Sequence, residues 1–155
     1  MKIRLLVPTI CFLTIAAIAA NHPDFSGSWQ LNTSKSKNIG MMANMNMTQN
    51  IKQSDLALDV TTHTTFQGND QDSKTHYDLS GNGVENEAPM EGPSQTVSKW
   101  RNDQLVTTWT SQSAVAGKKV VREETRSLSA DGKTMTIESA RGSNPAVVLV
   151  FDKAQ

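Results

Sequence analysis

From residue 25 to residue 151 the chain changes character about every 10–14 residues, and never with a helical period. Short runs that alternate apolar and polar residues are separated by turn chemistry: Ser54-Asp55, Gln67-Gly68-Asn69-Asp70, Ser80-Gly81-Asn82-Gly83, Asn102-Asp103, Ala116-Gly117, Ala130-Asp131-Gly132 and Gly142-Ser143-Asn144-Pro145. This predicts strands over residues 25–31, 47–53, 56–65, 74–79, 95–101, 104–112, 118–128, 134–140 and 146–151. Residues 84–93 hold Pro89 and Pro93, so an irregular edge or loop is expected there. Hairpins in series, with no helical crossover, favour an all-β, antiparallel up-and-down β-barrel of eight to ten strands over a doubly wound fold. Closing the meander also removes exposed strand edges.

Ahead of the strands, residues 1–20 carry Lys2 and Arg4, an apolar run and then Ala17-Ile18-Ala19-Ala20. That is the pattern of a signal peptide, with cleavage expected after Ala19 or Ala20. The run of about 14 apolar residues is short of the roughly 20 that span a bilayer, so no stable membrane anchor is expected after cleavage. Pro8-Thr9-Ile10 before Cys11 does not suit a lipid-attachment site. The expectation is export, to a periplasm or out of the cell, of one domain over residues 21–155.

Cys11 is the only cysteine, so the exported domain has no disulfide and its stability must come from its core. The whole chain has 15 basic and 15 acidic residues; loss of Lys2 and Arg4 with the leader leaves an acidic excess of two. Without a basic run or a basic amphipathic stretch, no nucleic-acid or membrane-surface partner is expected.

Phe25-x-Gly27-x-Trp29-x-Leu31, the following Ser34-Lys35-Ser36, Thr134-Met135-Thr136-Ile137 entered through Asp131-Gly132-Lys133, and the closing Val150-Phe151-Asp152-Lys153 carry a resemblance. In order and spacing they resemble the calycin superfamily of lipocalins and fatty-acid-binding proteins, and more narrowly exported bacterial lipocalin-like domains. The resemblance implies a barrel that holds a small, partly apolar molecule inside. It makes Gly27 and Trp29 structural, with the indole at the closed end, and places a helical lid in the first connection. It also implies an Arg-x-Tyr pair on the last strand that holds a carboxylate. At those positions this chain has Leu149 and Phe151. A buried carboxylate without a donor is costly, so the ligand is neutral, held by another clamp, or not a lipid.

Another clamp is available. With period 2, Val120, Arg122, Glu124, Arg126 and Leu128 share one face of the strand at 118–128. If that face is interior, two arginines about 13–14 Å apart flank one glutamate, a set able to take an anion bidentately. If it is exterior, the same residues are a solvated face laced with ion pairs. Trp109 shares a face with Leu105 and Thr107. Trp100, placed with Val97 by allowing a bulge, would join Trp109 in lining an apolar pocket; both rings could equally be core.

Residues 41–47 hold Met41, Met42, Met45 and Met47. Thioethers select Cu(I), and His22, His63 or His76 could complete such a site. The simpler reading is an apolar flap over a barrel mouth, since Met fills irregular gaps. His63 and His76, expected on adjacent strands, could face each other, but two histidines are a weak zinc signal. Asn69-Asp70-Gln71-Asp72 lacks the glycine and distal glutamate of a calcium loop. No Gly-x-Ser-x-Gly, His-Glu-x-x-His or phosphate loop occurs. No catalytic residue is assigned and no cofactor is implied. The leading expectation is an exported binding protein. A Met-rich copper protein and a barrel-scaffold enzyme of unknown reaction remain the alternatives.

Overall fold

The computed structural model describes residues 22–88 and 92–154. The leader expected at residues 1–20, with Cys11, lies outside the described residues. Ten strands follow one another: β1 (Gly27–Leu31), β2 (Asn46–Gln53), β3 (Ala57–Phe66), β4 (Asn69–Asp78), β5 (Gly83–Ala88), β6 (Gly92–Arg101), β7 (Gln104–Gln112), β8 (Lys119–Leu128), β9 (Thr134–Ala140) and β10 (Val147–Lys153). They form one antiparallel sheet in the order β4-β3-β2-β1-β10-β9-β8-β7-β6-β5. Every neighbour in chain order pairs except β4 and β5, and β1 pairs with β10 instead. The sheet thus curls into a nearly closed, up-and-down barrel.

Two elements differ from the sequence expectation, for local reasons. Gln67 and Gly68 both have positive φ, 51° and 79°. Such a two-residue turn matches the twist of its flanking strands, so the ladder resumes at once with Phe66 opposite Asn69. Asn69 and Asp70 therefore belong to β4, not to the turn. Residues 83–88 form β5, an edge strand of the sheet, where an irregular edge or loop was expected over residues 84–93; Val84, Glu85 and Asn86 pair with Thr96, Gln95 and Ser94 of β6. Pro93 is tolerated in the second position of β6, opposite Glu87, and Pro89 falls beyond β5.

The gap between β4 and β5 is bridged by a side chain. Asn86 Nδ2 donates to the His76 carbonyl at 2.7 Å, and the His76 N–H donates to Asn86 Oδ1 at 2.9 Å. One carboxamide thus replaces a ladder pair. It also donates to Thr96 Oγ1 at 2.8 Å, which ties the patch to β6.

Alternation along the strands buries one face of each. Phe25, Trp29, Leu58, Met135 and Phe151 are wholly buried, with Leu31, Ile51, Val60, Leu105 and Ile137 packed around them. Trp29 sits in this cluster with its indole N–H donating to the Phe25 carbonyl at 2.8 Å. Gly27 has φ +128°, and a Cβ there would come within 3.1 Å of Lys153 Cε. The first glycine of the Gly27-x-Trp29 motif is thus required both by its backbone angle and by the lysine chain lying across it. The same lysine places its ammonium 5.2 Å from the Trp29 ring centre.

The remaining motif residues meet at the β1–β10 seam. Asn32 Nδ2 and Lys35 Nζ donate to Asp152 at 2.7 and 2.8 Å, and Ser36 Oγ accepts from the Val150 N–H at 3.0 Å. These contacts clip the segment after β1 to the last strand and complete the closure. The Asp152 carboxyl is held below its usual range, first by the Lys35 hydrogen bond and then by Asn32. A carboxyl depressed in the folded state stabilises above its unfolded value, about 3.9, and loses that contribution as pH falls through the folded value. Thermal unfolding midpoints should therefore drop on acidification below about pH 4, and Asp152→Asn should flatten that slope. An identical acid slope in the variant would show that the clip contributes nothing.

Candidate ligand site

The structure places Arg122, Glu124 and Arg126 on the barrel interior. Arg126 lies opposite Leu105, Glu124 opposite Thr107 and Arg122 opposite Trp109, all on the buried face of β7. The two guanidiniums converge on the one carboxylate: Arg122 Nη1 is 3.3 Å and Arg126 Nη2 3.5 Å from Glu124. The Tyr77 hydroxyl, reaching across from β4, donates to Glu124 Oε1 at 3.3 Å. Burial, then the Glu124 carboxylate, pushes the Tyr77 phenol far above its ordinary range, so it remains a donor. The Arg126 guanidinium also donates to Gln49 Oε1 at 3.3 Å and lies over the Tyr77 ring at 5.5 Å. Arg122 donates to Ser139 at 3.1 Å and lies 4.7 Å over the Trp109 ring. The three charged side chains of this face sum to one positive charge, held where water is scarce and electrostatic forces are strong.

The two arginines are not equivalent. The Arg126 side chain is 3% exposed, whereas Arg122 is 18% exposed. Arg126 is therefore the sealed member of the cluster, and Arg122 the more open one. Around it the interior-facing Met47, Thr62, Val120, Ser139 and Leu149 are half-buried. β6 and β7 bury Ser94, Thr96, Ser98, Thr107 and Ser111 beside Leu105 and Trp109, while β1, β2, β9 and β10 bury Leu31, Ile51, Met135, Ile137 and Phe151.

Trp109 is buried beneath Arg122, with the edge of Tyr77 against it at 6.0 Å. Trp100 does not join it. The β6–β7 register runs unbroken from Ser94 to Arg101, with Trp109 opposite Thr96 and Trp100 opposite Leu105. Without a bulge, Val97 belongs to the outer face, and Trp100 sits four residues from the Trp109 level, about 13 Å along the strand. Trp100 instead stacks on His22 at 4.2 Å and on Phe25 at 6.0 Å, near the end of the barrel where Trp29 packs. The residues before β1 cross that end and supply the partner rings, which strand periodicity could not indicate.

The Met segment begins in a short 3-10 helix, Gly40–Asn44, between β1 and β2. Met41 is exposed, Met42 and Met45 are half-buried, and Met47 enters β2 and packs on the core. This one short helix stands where the resemblance implied a helical lid. The two histidines do not face each other. His63 pairs with Asp72 and His76 with Asp59, both on the outer face, with ring nitrogens 2.6 and 2.7 Å from the carboxylates. The hydrogen bond that the His63 ring donates to the Asp72 carboxylate raises the His63 pKa. Among the described residues, no group of three or more His, Cys, Asp or Glu could hold a metal ion. Residues 69–72 are β4 ladder, with Asp70 and Asp72 turned to solvent and His63.

Gln49, Tyr77, Asn86 and Ser139 belong to the interior polar set and were not singled out from sequence. Alternation with Ile51 could have turned Gln49 inward. Nothing local indicates that Tyr77 reaches β8, because that contact crosses the barrel. A groove of about 690 Å³ lies on the outer wall of β2–β4, lined by Lys52, Asp59, Thr61, Lys74 and His76, and does not touch the arginine face.

The geometry defines a small, nearly closed ten-stranded barrel with a charged interior. No protein-family model matches the sequence, and no curated protein matches it. Solved structures do. Fatty-acid-binding protein 1 of Echinococcus granulosus aligns over 84% of this chain and 98% of its own, with TM-score 0.66 at 12% identity. Lipid binding protein 8 of Caenorhabditis elegans covers 84% and 95%, with TM-score 0.62 at 16% identity. A structure described as the REP1-NXSQ fatty acid transporter covers 84% and 96%, with TM-score 0.61 at 14% identity. At such identities the likeness is one of fold, and the fold is that of these fatty-acid-binding and lipid-binding proteins.

Proposed function

We propose that this protein is an exported carrier that holds a small amphipathic anion inside its barrel, with Arg122 as the charged contact. The observation that carries the reading is the interior cluster of two arginines against one glutamate, with the outer arginine partly open. The fold neighbours, named for fatty acids and lipids, support a partly apolar ligand. The positively charged, apolar leader at residues 1–20 supports export. Leu149 and Phe151 leave those two positions of the last strand without an ionic donor, so the anchor comes from β8. Arg126 and Tyr77 hold Glu124, Gln49 accepts from Arg126, and Glu124 holds Arg122 in place, so the accessible guanidinium is preorganised. Residues 41–47 border the same end as a flap whose Met side chains adapt to the apolar part of the ligand.

Decanoate and decan-1-ol make a matched pair of probes. Arg122→Met keeps most of the packing and removes a charge-assisted bond of about 1.5–3 kcal/mol. It should weaken decanoate roughly tenfold or more by calorimetry and leave decanol within about twofold. Equal losses for both probes, or no decanoate binding to the native protein, would sink the proposal.

A further inference from the structure

Two buried tryptophans in this barrel are treated differently. The Trp29 indole N–H is bonded to a carbonyl, whereas Trp109 Nε1 is sealed from solvent and has no hydrogen-bond partner among the described residues. A buried N–H without an acceptor is a standing cost that folded proteins rarely accept. The acceptors around it are engaged. Thr96, opposite Trp109 in register, has its hydroxyl bonded to the Val84 carbonyl and to Asn86, and the Thr107 hydroxyl is bonded to Ser98. Glu124 is taken up by Arg122, Arg126 and Tyr77.

The unpaired donor also has a telling position. The ring that carries it lies directly under the Arg122 guanidinium, 4.7 Å from its centre. A molecule drawn to Arg122 therefore arrives over the one indole of the interior that lacks an acceptor. We infer that the Trp109 indole N–H is a second donor of the ligand seat, completed by an oxygen of the bound molecule. This rests on the proposed role of Arg122. Because Nε1 is shut off from solvent here, the ring must shift as ligand enters, and the shift gains the missing hydrogen bond. The chemical class follows. The head group must offer two acceptor oxygens, one for Arg122 and one for Trp109, as a carboxylate, sulfonate, sulfate or phosphate monoester does. An alcohol offers one, and a thioether or amine does not serve.

The test uses the domain comprising residues 21–155, with ¹⁵N-labelled tryptophan, titrated with decanoate. The Trp109 indole proton should move downfield by about 0.5 ppm or more as a hydrogen bond forms, while the already bonded Trp29 signal stays put. Site-specific replacement of Trp109 by 3-benzothienylalanine, which puts sulfur in place of N–H at nearly constant shape, should weaken decanoate about tenfold and decan-1-ol less than twofold. If decanoate binds but the Trp109 signal does not move and the sulfur analogue binds as tightly as native protein, this inference fails and the role of Arg122 stands. A Trp109 signal already downfield in the free protein and unchanged on titration, as trapped water would give, also overturns it. Absence of decanoate binding overturns both.

Discussion

Trp29→Ala is expected to cost about 3–5 kcal/mol of folding stability, the range for removing a fully buried aromatic ring. The ring is wholly buried among Phe25, Leu58 and Phe151, and its N–H satisfies the Phe25 carbonyl. Truncation leaves a cavity, an unpaired carbonyl and a lysine without its aromatic face. Cys11 is the only cysteine, so no intrachain disulfide compensates, and domains of about this size are commonly stable by only about 5–15 kcal/mol. Denaturant unfolding followed by circular dichroism measures the loss. A change under about 1 kcal/mol would mean that the β1–β10 seam is not organised around this residue.

An effect of similar size is expected at Glu124, for an electrostatic reason. Glu124→Leu leaves two interior guanidiniums facing each other without their shared carboxylate, and breaking a buried pair in this way costs about 3–5 kcal/mol. The triple variant Arg122→Met, Glu124→Leu, Arg126→Met removes all three charges while keeping the volume. Such replacements are often neutral or stabilising, so its stability should match or exceed that of the native protein while its preference for decanoate over decan-1-ol disappears. The pair of results separates what the cluster does for folding from what it does for recognition. A triple variant that unfolds as easily as the single one would show that the cluster is needed for folding, and not retained for binding.

Much of the architecture was legible because strand alternation and turn chemistry are local. The turns at Asn102-Asp103 and Asp131-Gly132 mark hairpins, and period 2 puts Val120, Arg122, Glu124, Arg126 and Leu128 on one face. Which face that was could not be read from β8. An amphipathic strand with charge in its middle reads equally well inside out, and only pairing with the buried Leu105, Thr107 and Trp109 settles it. The regularity of the β5 edge was not legible because Gly83–Ala88 has little intrinsic strand preference and forms on the template of β6. Trp100 was misplaced because its partners, His22 and Phe25, belong to an irregular segment without a period.

The motif residues Lys35, Ser36 and Asp152 show the same division. The residues were visible as a pattern, but their joint purpose is a contact between segments more than a hundred residues apart. By itself, the sequence determined the all-β class, the hairpin order, the lack of any intrachain disulfide and the gathering of Arg122, Glu124 and Arg126 on one face of β8. The tertiary structure alone decided that the barrel closes through β1 and β10, that a carboxamide bridges β4 to β5, and that Gln49 and Tyr77 meet the arginines in the centre. The reason is that period and turn geometry act between residues a few positions apart. Closure brings together faces whose meeting depends on the register and twist of all ten strands at once.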